Sequence, residues 1–301
     1  MNIYACIMNA YQKNICEVII MKKIISLILV AIMVLSFTAC GSGNTETKTL
    51  KVALSPDFAP MEFIDSSKSG IDAYVGFDVD LAHYIADELG MELEIMPMSF
   101  DACQVAVEVG TVDMSISGFS WTETRAQNYN LSDYYYTGDN ETEQTIITTK
   151  DKEGTFTCAE DFSGKTVAAQ TASLQLDLCN GQLPEDCKIV EVGDLTTALL
   201  QLINGDFDAL AVAKGNGEVF INANPDNVAE SGFQFEVDEK SEANVILLQK
   251  GADELTEKVN KILAKAYEAG YYGEWYEKAL ALAKGETAQE VSYDDEGNVA
   301  A

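Results

Sequence analysis

Positive charge is scarce in this chain: 19 Lys+Arg residues stand against 49 Asp+Glu in 301 residues, a net charge of -30. A surface this acidic repels nucleic-acid phosphate and anionic headgroups, which excludes both as broad partners. Histidine is scarcer still. His83 stands alone in Asp80-Leu81-Ala82-His83-Tyr84-Ile85, a helical pattern in which it reads as a surface or boundary residue. One histidine removes most histidine-dependent hydrolases and metal centres. The cysteines have no Cys-x-x-Cys or Cys/His spacing, so neither a metal site nor a cofactor is expected. No phosphate loop or nucleophile–base pair is present to support catalysis.

Arginine is as rare as histidine. Arg125, against 18 lysines, lies in Ser117-Gly118-Phe119-Ser120-Trp121-Thr122-Glu123-Thr124-Arg125. A planar guanidinium pairs bidentately with a carboxylate or phosphate, which an ammonium cannot copy. A chain that otherwise uses lysine but keeps this fork beside serines points to an anion site. The plain alternative is a compositional bias that left Arg125 as a surface remnant.

Residues 1–39 read as an address. Met21-Lys22-Lys23 is a basic start, and Ile24 to Phe37 is an apolar run of 14 residues broken by Ser26 and Ser36. That is short of the roughly 20 that a membrane span needs. Thr38-Ala39-Cys40-Gly41 resembles a lipobox, in which the cysteine is lipidated and becomes the mature N-terminus. The alternative, an uncleaved signal anchor, is opposed by the small residues before Cys40. Residues 1–20, with Cys6 and Cys16, read as lying upstream of a signal that is complete from Met21. Processing at Cys40 leaves 16 basic and 48 acidic residues, and no second apolar span follows. The expected product sits on the extracytoplasmic membrane face, in contact with the membrane through its lipid.

Residues 40–48 form a small, polar tether, and the acidic stretch 285–301 has the composition of a disordered tail. Between them strands and helices alternate. Leu50–Leu54, Met91–Ile95 and Asp113–Ile116 read as strands, with helices over Val79–Leu89, closed by Gly90, and Asp101–Val109. The grammar recurs with strands at Lys165–Gln170, Lys188–Val192 and Asp208–Val212 and a helix at Leu195–Ile203. Helix, glycine, two residues, aspartate, strand appears twice, at Gly110-Thr111-Val112-Asp113 and Gly205-Asp206-Phe207-Asp208. Two such units predict an α/β fold of two lobes around a cleft. Ligands of open sheets bind beyond the carboxyl ends of strands, where Ser55, Ser117 and Ala213 fall. Leu255, Val259, Ile262, Leu263 and Ala266 stripe a late helix, and Trp275 and Tyr276 read as packing residues in the last one. Cys179 and Cys187 flank a turn-rich loop, Asn180 to Pro184. Export permits a disulfide there, although spacing does not establish one.

Phe58-Ala59-Pro60-Met61-Glu62-Phe63, Gly76-Phe77-Asp78-Val79-Asp80-Leu81, the Arg125 run and Asp133-Tyr134-Tyr135-Tyr136 together resemble the polar amino-acid-binding proteins of ABC importers, over roughly residues 49–284. The resemblance implies a two-lobed periplasmic-binding-protein-like fold of type II. Lobe 1 would be 49–141 and 240–284, lobe 2 would be 142–239, and two hinge crossings would lie near 138–146 and 235–243. It implies that Arg125 grips a ligand α-carboxylate with help from Ser120 and the backbone of Gly118. Ser173 and its helix N-terminus complete the cradle, Phe58 covers the ligand side chain, and Cys103 and Trp121 are walls, with Trp121 alternatively buried behind the site. An aspartate that pairs with the ligand ammonium in the family is here Ala213, followed by Lys214-Gly215-Asn216-Gly217-Glu218. Glu218 or another acid then substitutes, or the ligand lacks an α-amino group. Ser55, where binders of basic amino acids often carry aspartate, argues mildly against a basic ligand. Lys214 could favour a second ligand carboxylate, although a solvated loop lysine is the simpler reading.

The expected function is that of a monomeric, lipid-anchored receptor that delivers an amino acid or related small carboxylate to an ABC permease and ATPase complex. The rivals are a dehydratase-like enzyme on the same scaffold, with Asp101, Glu123 and Glu218 as candidate acids, and a sensory ligand-binding module.

Overall fold

In the computed structural model residues 48–138 and 143–285 are described. The readings for residues 1–39, Cys40 and nearly all of the tether and tail lie outside them, as do residues 139–142 of the first hinge crossing. The described chain opens with β1 (Thr49–Leu54), where Leu50 and Val52 are fully buried and Lys51 is exposed. Two short strands, β2 (Asp57–Phe58) and β3 (Glu62–Ile64), then pair with β4 (Tyr74–Val75) as a small antiparallel sheet. Helix α1 (Phe77–Leu89) ends on Gly90 at φ 65°. There the Met91 N–H donates to the Ala86 carbonyl at 2.9 Å. This left-handed closure uses Met91 as part of the helix end, so β5 starts one residue later than expected, at Glu92, and runs to Pro97. Next come α2 (Phe100–Glu108), β6 (Met114–Ser115), α3 (Glu123–Asn128) and β7 (Asn130–Leu131).

The second half contributes β8 (Gln144–Thr149), β9 (Thr166–Gln170), α4 (Leu174–Gln182), β10 (Lys188–Val192), α5 (Leu195–Asn204), β11 (Ala209–Ala213), α6 (Lys214–Ala223) and β12 (Val228–Gln234). The chain then returns to the first sheet as β13 (Leu247–Leu248) and closes with α7 (Asp253–Glu268) and α8 (Tyr271–Ala283).

One sheet has the order β5-β1-β6-β13-β7 and the other β10-β9-β11-β8-β12. In each, three parallel strands are followed by a strand that runs antiparallel to the third. The repeated aspartate has the same task in both. Asp113 Oδ2 accepts from the Lys51 N–H at 2.8 Å, and Asp208 Oδ2 accepts from the Thr166 N–H at 3.0 Å, each pinning the central parallel strand to the turn before its neighbour. The striped helix α7 buries Val259, Ile262, Leu263 and Ala266 beside the first sheet, while Phe77 packs among Tyr135, Tyr136, Tyr272, Trp275 and Tyr276. Cys179 and Cys187 are free thiols buried in one core cluster of the second sheet.

Candidate functional site

Arg125 sits in the first turn of α3, where the Thr122 hydroxyl caps the helix by accepting from the Arg125 N–H at 3.1 Å. Its side chain is turned inward and only 4% of the residue is exposed. Nη1 donates to the Ser120 carbonyl at 2.7 Å, Nη2 to the Ala172 carbonyl at 3.0 Å, and Nε to Gln104 Oε1 at 3.4 Å. The guanidinium also lies over the rings of Phe100 and Phe119, 5.5 and 5.2 Å from their centroids. Every one of these partners is neutral. Burial pulls the Arg125 pKa down to about 10, with the charge of Asp177 acting in the opposite direction. A cation taken out of water against dipoles alone is under-compensated, and an arriving anion recovers that cost.

The neighbouring segment is built around a glycine. Gly118 has φ 56°, and a Cβ there would meet Phe58 Cε1 at 2.6 Å. Only a residue without a side chain allows the left-handed turn and the close ring together. Ser117 Oγ accepts from the Ser55 N–H at 2.9 Å, and the Ser55 hydroxyl donates to Asp57 Oδ1 at 2.7 Å. Asp57 then reaches across to the second sheet's elements. Its Oδ2 accepts from the Leu195 N–H, at the start of α5, at 2.7 Å and from Gln170 Nε2 at 2.9 Å. Burial lifts the Asp57 pKa to about 6 against the opposing Leu195 and Ser55 hydrogen bonds. Phe58, Ser117 and Gly118, together with Phe100, Gln170, Gln175, Leu195, Ala211 and Val212, line a narrow cavity of about 20 Å³.

The other expected residues have distinct placements. Ser120 is buried and contributes its carbonyl to Arg125. Ser173 caps α4, its hydroxyl accepting from the Leu176 N–H at 3.1 Å. Cys103 is fully buried, and burial raises its pKa to about 12. Trp121 packs on the cluster behind Phe100 and Phe119, with Lys240 Nζ 5.3 Å from its ring centroid. Ala213 is buried at the junction of β11 and α6. Lys214 is paired with Glu143 at 2.6 Å. Glu218 lines a groove with Lys150, Glu153 and Glu230, apart from the cavity between Phe58 and Leu195. Asp101 accepts locally from the Ser99 hydroxyl at 2.6 Å and Glu123 from Gln127 Nε2 at 3.3 Å.

Asp57, Gln104 and Gln170 carry bonds in the site that sequence reasoning did not assign. Asp57 lies immediately before Phe58, and an acid between Pro56 and an aromatic is the signal that could have marked it.

Residues 50–281 match the family described as bacterial extracellular solute-binding proteins, family 3. The chain is 32% identical over 255 residues to the arginine-binding extracellular protein ArtP of Bacillus subtilis, covering 83% of this chain and 94% of that one. A probable histidine-binding protein of Campylobacter jejuni is 29% identical, covering 82% of this chain and 99% of the relative. Among solved structures, the amino acid ABC transporter substrate-binding protein AbpA of Streptococcus pneumoniae, bound to L-arginine, superposes with a TM-score of 0.71 at 32% identity. That match covers 79% of this chain and 97% of the other.

Proposed function

Because the chain belongs to the bacterial extracellular solute-binding proteins of family 3, and is a binding protein rather than an enzyme, we propose that it captures an amino acid between two lobes and hands it to an ABC permease. Lobe 1 is residues 49–141 and 240–284, lobe 2 is 142–239, and the crossings lie near 138–146 and 235–243. The return of β13 to the first sheet, after the whole of the second, supports that division. The mature protein is a monomer, anchored through lipid on Cys40 at the extracytoplasmic face, as the residues 21–41 pattern supports.

The observation that carries the reading is the buried Arg125 guanidinium held only by neutral acceptors. Its natural counter-ion is the ligand α-carboxylate. Ser173 and the α4 N-terminus approach from the other side, adding their partial positive charge to the cradle. Ser117, Gly118 and Phe58 shape the opposite wall. The ligand is a cationic amino acid, with L-arginine and L-histidine, the ligands named for the relatives, as first candidates. Ser55 argues against a basic ligand when read alone. Asp57, hydrogen-bonded to Ser55, restores an acid to that wall and answers the loss at Ala213. Closure adds contacts from both lobes to one ligand, which favours the closed form the permease distinguishes.

Calorimetric titration tests this, after the purified protein has been unfolded and refolded to remove carried ligand. The panel is the twenty amino acids, ornithine, cystine and several amine-free carboxylates. The expected result is binding of L-arginine or L-histidine with a Kd near micromolar, about -8 kcal/mol. Binding of amine-free acids alone, or of nothing in the panel, overturns it.

A further inference from the structure

Beneath the site lies a pair of buried carboxyl groups that the binding reading does not use. Glu62 in β3 and Asp78 in the first turn of α1 are both 0% exposed. Asp78 Oδ2 accepts from the Gly118 N–H at 2.8 Å and from the Tyr135 hydroxyl at 3.0 Å. Glu62 Oε1 accepts from the Ser117 hydroxyl at 2.5 Å. The two residues that line the cavity floor, Ser117 and Gly118, therefore each hang from one of these acids.

The remaining oxygens set a puzzle with one economical answer. Glu62 Oε2 and Asp78 Oδ1 are buried, and no N–H or O–H elsewhere among the described residues donates to them. The two acids are close neighbours: the Asp78 N–H donates to the Met61 carbonyl at 2.8 Å, and the adjacent residues Ser117 and Gly118 each bond one of them. Two carboxylates cannot satisfy each other's free oxygens, because both have only acceptors. A single proton on Glu62, donated to Asp78, pairs these two oxygens and leaves the bonds from Ser117, Gly118 and Tyr135 as they are. Buried polar groups that are fully paired in this way rigidify their surroundings, whereas bare adjacent charges in the same place are costly.

We propose that Glu62 and Asp78 share one proton and act as the positioning pair that holds Ser117 and Gly118 in ligand-binding geometry. The titratable groups facing the pair are Asp57 from β2, Tyr135 from the segment after β7 and Tyr272 from α8, none of them cationic. Desolvation pushes the Glu62 carboxyl well above the usual carboxylate range, and the charge of Asp78 adds to it. Desolvation also lifts Asp78, to about 7, against the bonds from Gly118 and Tyr135. Because the folded values exceed the unfolded ones, the folded protein retains protons that the unfolded chain releases. The pair's contribution to stability is present at acid pH and is lost as pH rises toward the folded value of Glu62. The hold on Ser117 and Gly118 weakens with it.

Infrared spectroscopy of the purified protein tests the pair without any ligand. At about pH 7 the wild type should show a buried carboxylic-acid C=O stretch that is missing in Glu62→Gln. Absence of a Glu62-dependent acid band overturns the proposal. Affinity for L-arginine, measured from about pH 6 to pH 10, supplies the functional half and alone rests on the amino-acid-binding reading. Glu62→Ala should bind about tenfold more weakly, the loss expected when a hydrogen bond to a buried polar group is removed. Glu62→Gln, whose amide can donate to Asp78 and accept from Ser117, should rescue that loss and flatten the alkaline decline of the wild type. A Glu62→Gln protein as weak as Glu62→Ala, or one that keeps the wild-type pH profile, overturns the positioning role. If the wild type itself does not bind L-arginine, the ligand assignment fails while the infrared result still decides the shared proton.

Discussion

The two five-stranded sheets share one pattern of parallel and antiparallel pairing, yet they offer the cleft different chemistry. The first side presents side chains: the Arg125 guanidinium, the Asp57 carboxylate, the Phe58 ring and the Ser117 hydroxyl. The second side answers largely with main chain, through the Ala172 carbonyl on Arg125 and the Leu195 N–H on Asp57, with Gln170 as the side-chain exception. The first side also buries ionisable groups, Asp57, Glu62, Asp78 and Arg125, whereas the buried polar residues of the second side, among them Thr148, Gln170, Asn216 and Ser231, carry no charge. A shared framework thus carries one side whose buried groups are charged and another that meets them largely with main-chain dipoles.

The largest test of this asymmetry is removal of the one charged fork. Arg125→Ala should weaken binding of L-arginine by about 2–5 kcal/mol, the range for truncating one partner of a buried charge pair. Arg125→Lys should recover little, since an ammonium does not reproduce the planar geometry. Calorimetry with far-ultraviolet circular dichroism checks both, and retained affinity in a folded Arg125→Ala protein breaks the comparison. Next in size is Gly118→Ala. It places a Cβ against Phe58 in a left-handed backbone, and should cost about 1–3 kcal/mol in chemical denaturation. A stability equal to wild type would mean that Phe58 moves aside freely.

Asp57→Asn sharpens the link between the sides. It removes the charge from the acceptor of the Leu195 N–H and Gln170 amide, and affinity should fall about tenfold. It should also alter the pH dependence of melting. Asp57 has a folded pKa raised from 3.8 to about 6 by desolvation, so its contribution to stability falls as pH rises across that interval. The variant should lose this part of the slope, and a slope identical to wild type would remove Asp57 from the account. The smallest effect is expected for Thr122→Ala, which deletes the cap of α3. It should cost about 1 kcal/mol in thermal unfolding, and a much larger loss would mean that the short helix holds Arg125 in place more directly than its cap suggests.

The same asymmetry explains how much was legible beforehand. Alternation and glycine punctuation located β1, α1, α2, β9, β10 and α5 to within a residue or two. The two Gly-x-x-Asp turns were visible because a side chain performs the pinning. Arg125, Phe58, Ser117 and Gly118 were named from the sequence as candidate site residues, and the structure places them beside the cavity or at the buried guanidinium. The opposing wall was less legible, because the carbonyl at Ala172 and the N–H at Leu195 are main-chain groups that no particular side chain announces. Glu62 and Asp78 could have been flagged as buried acids. Each is flanked by large apolar residues, Met61 and Phe63 in one case and Phe77 and Val79 in the other, and such an acid must find a partner or a proton when the segment folds inward. Asp57 was hidden by its neighbour, since the motif around Phe58 drew attention to the ring.

The narrowness of the cavity has a kinetic consequence. About 20 Å³ between Phe58, Phe100 and Leu195 holds roughly one water molecule, far less than an amino acid. If the ligand binds here, as proposed, its entry requires the two sides to part, and with them the bonds from Asp57 to the Leu195 N–H and the Gln170 amide. The separation of those groups then sets a ceiling on exchange. In rapid-mixing experiments that start from this conformation, the observed association rate should climb with concentration only until it meets that ceiling, and the dwell time of the captured molecule should follow the same opening event.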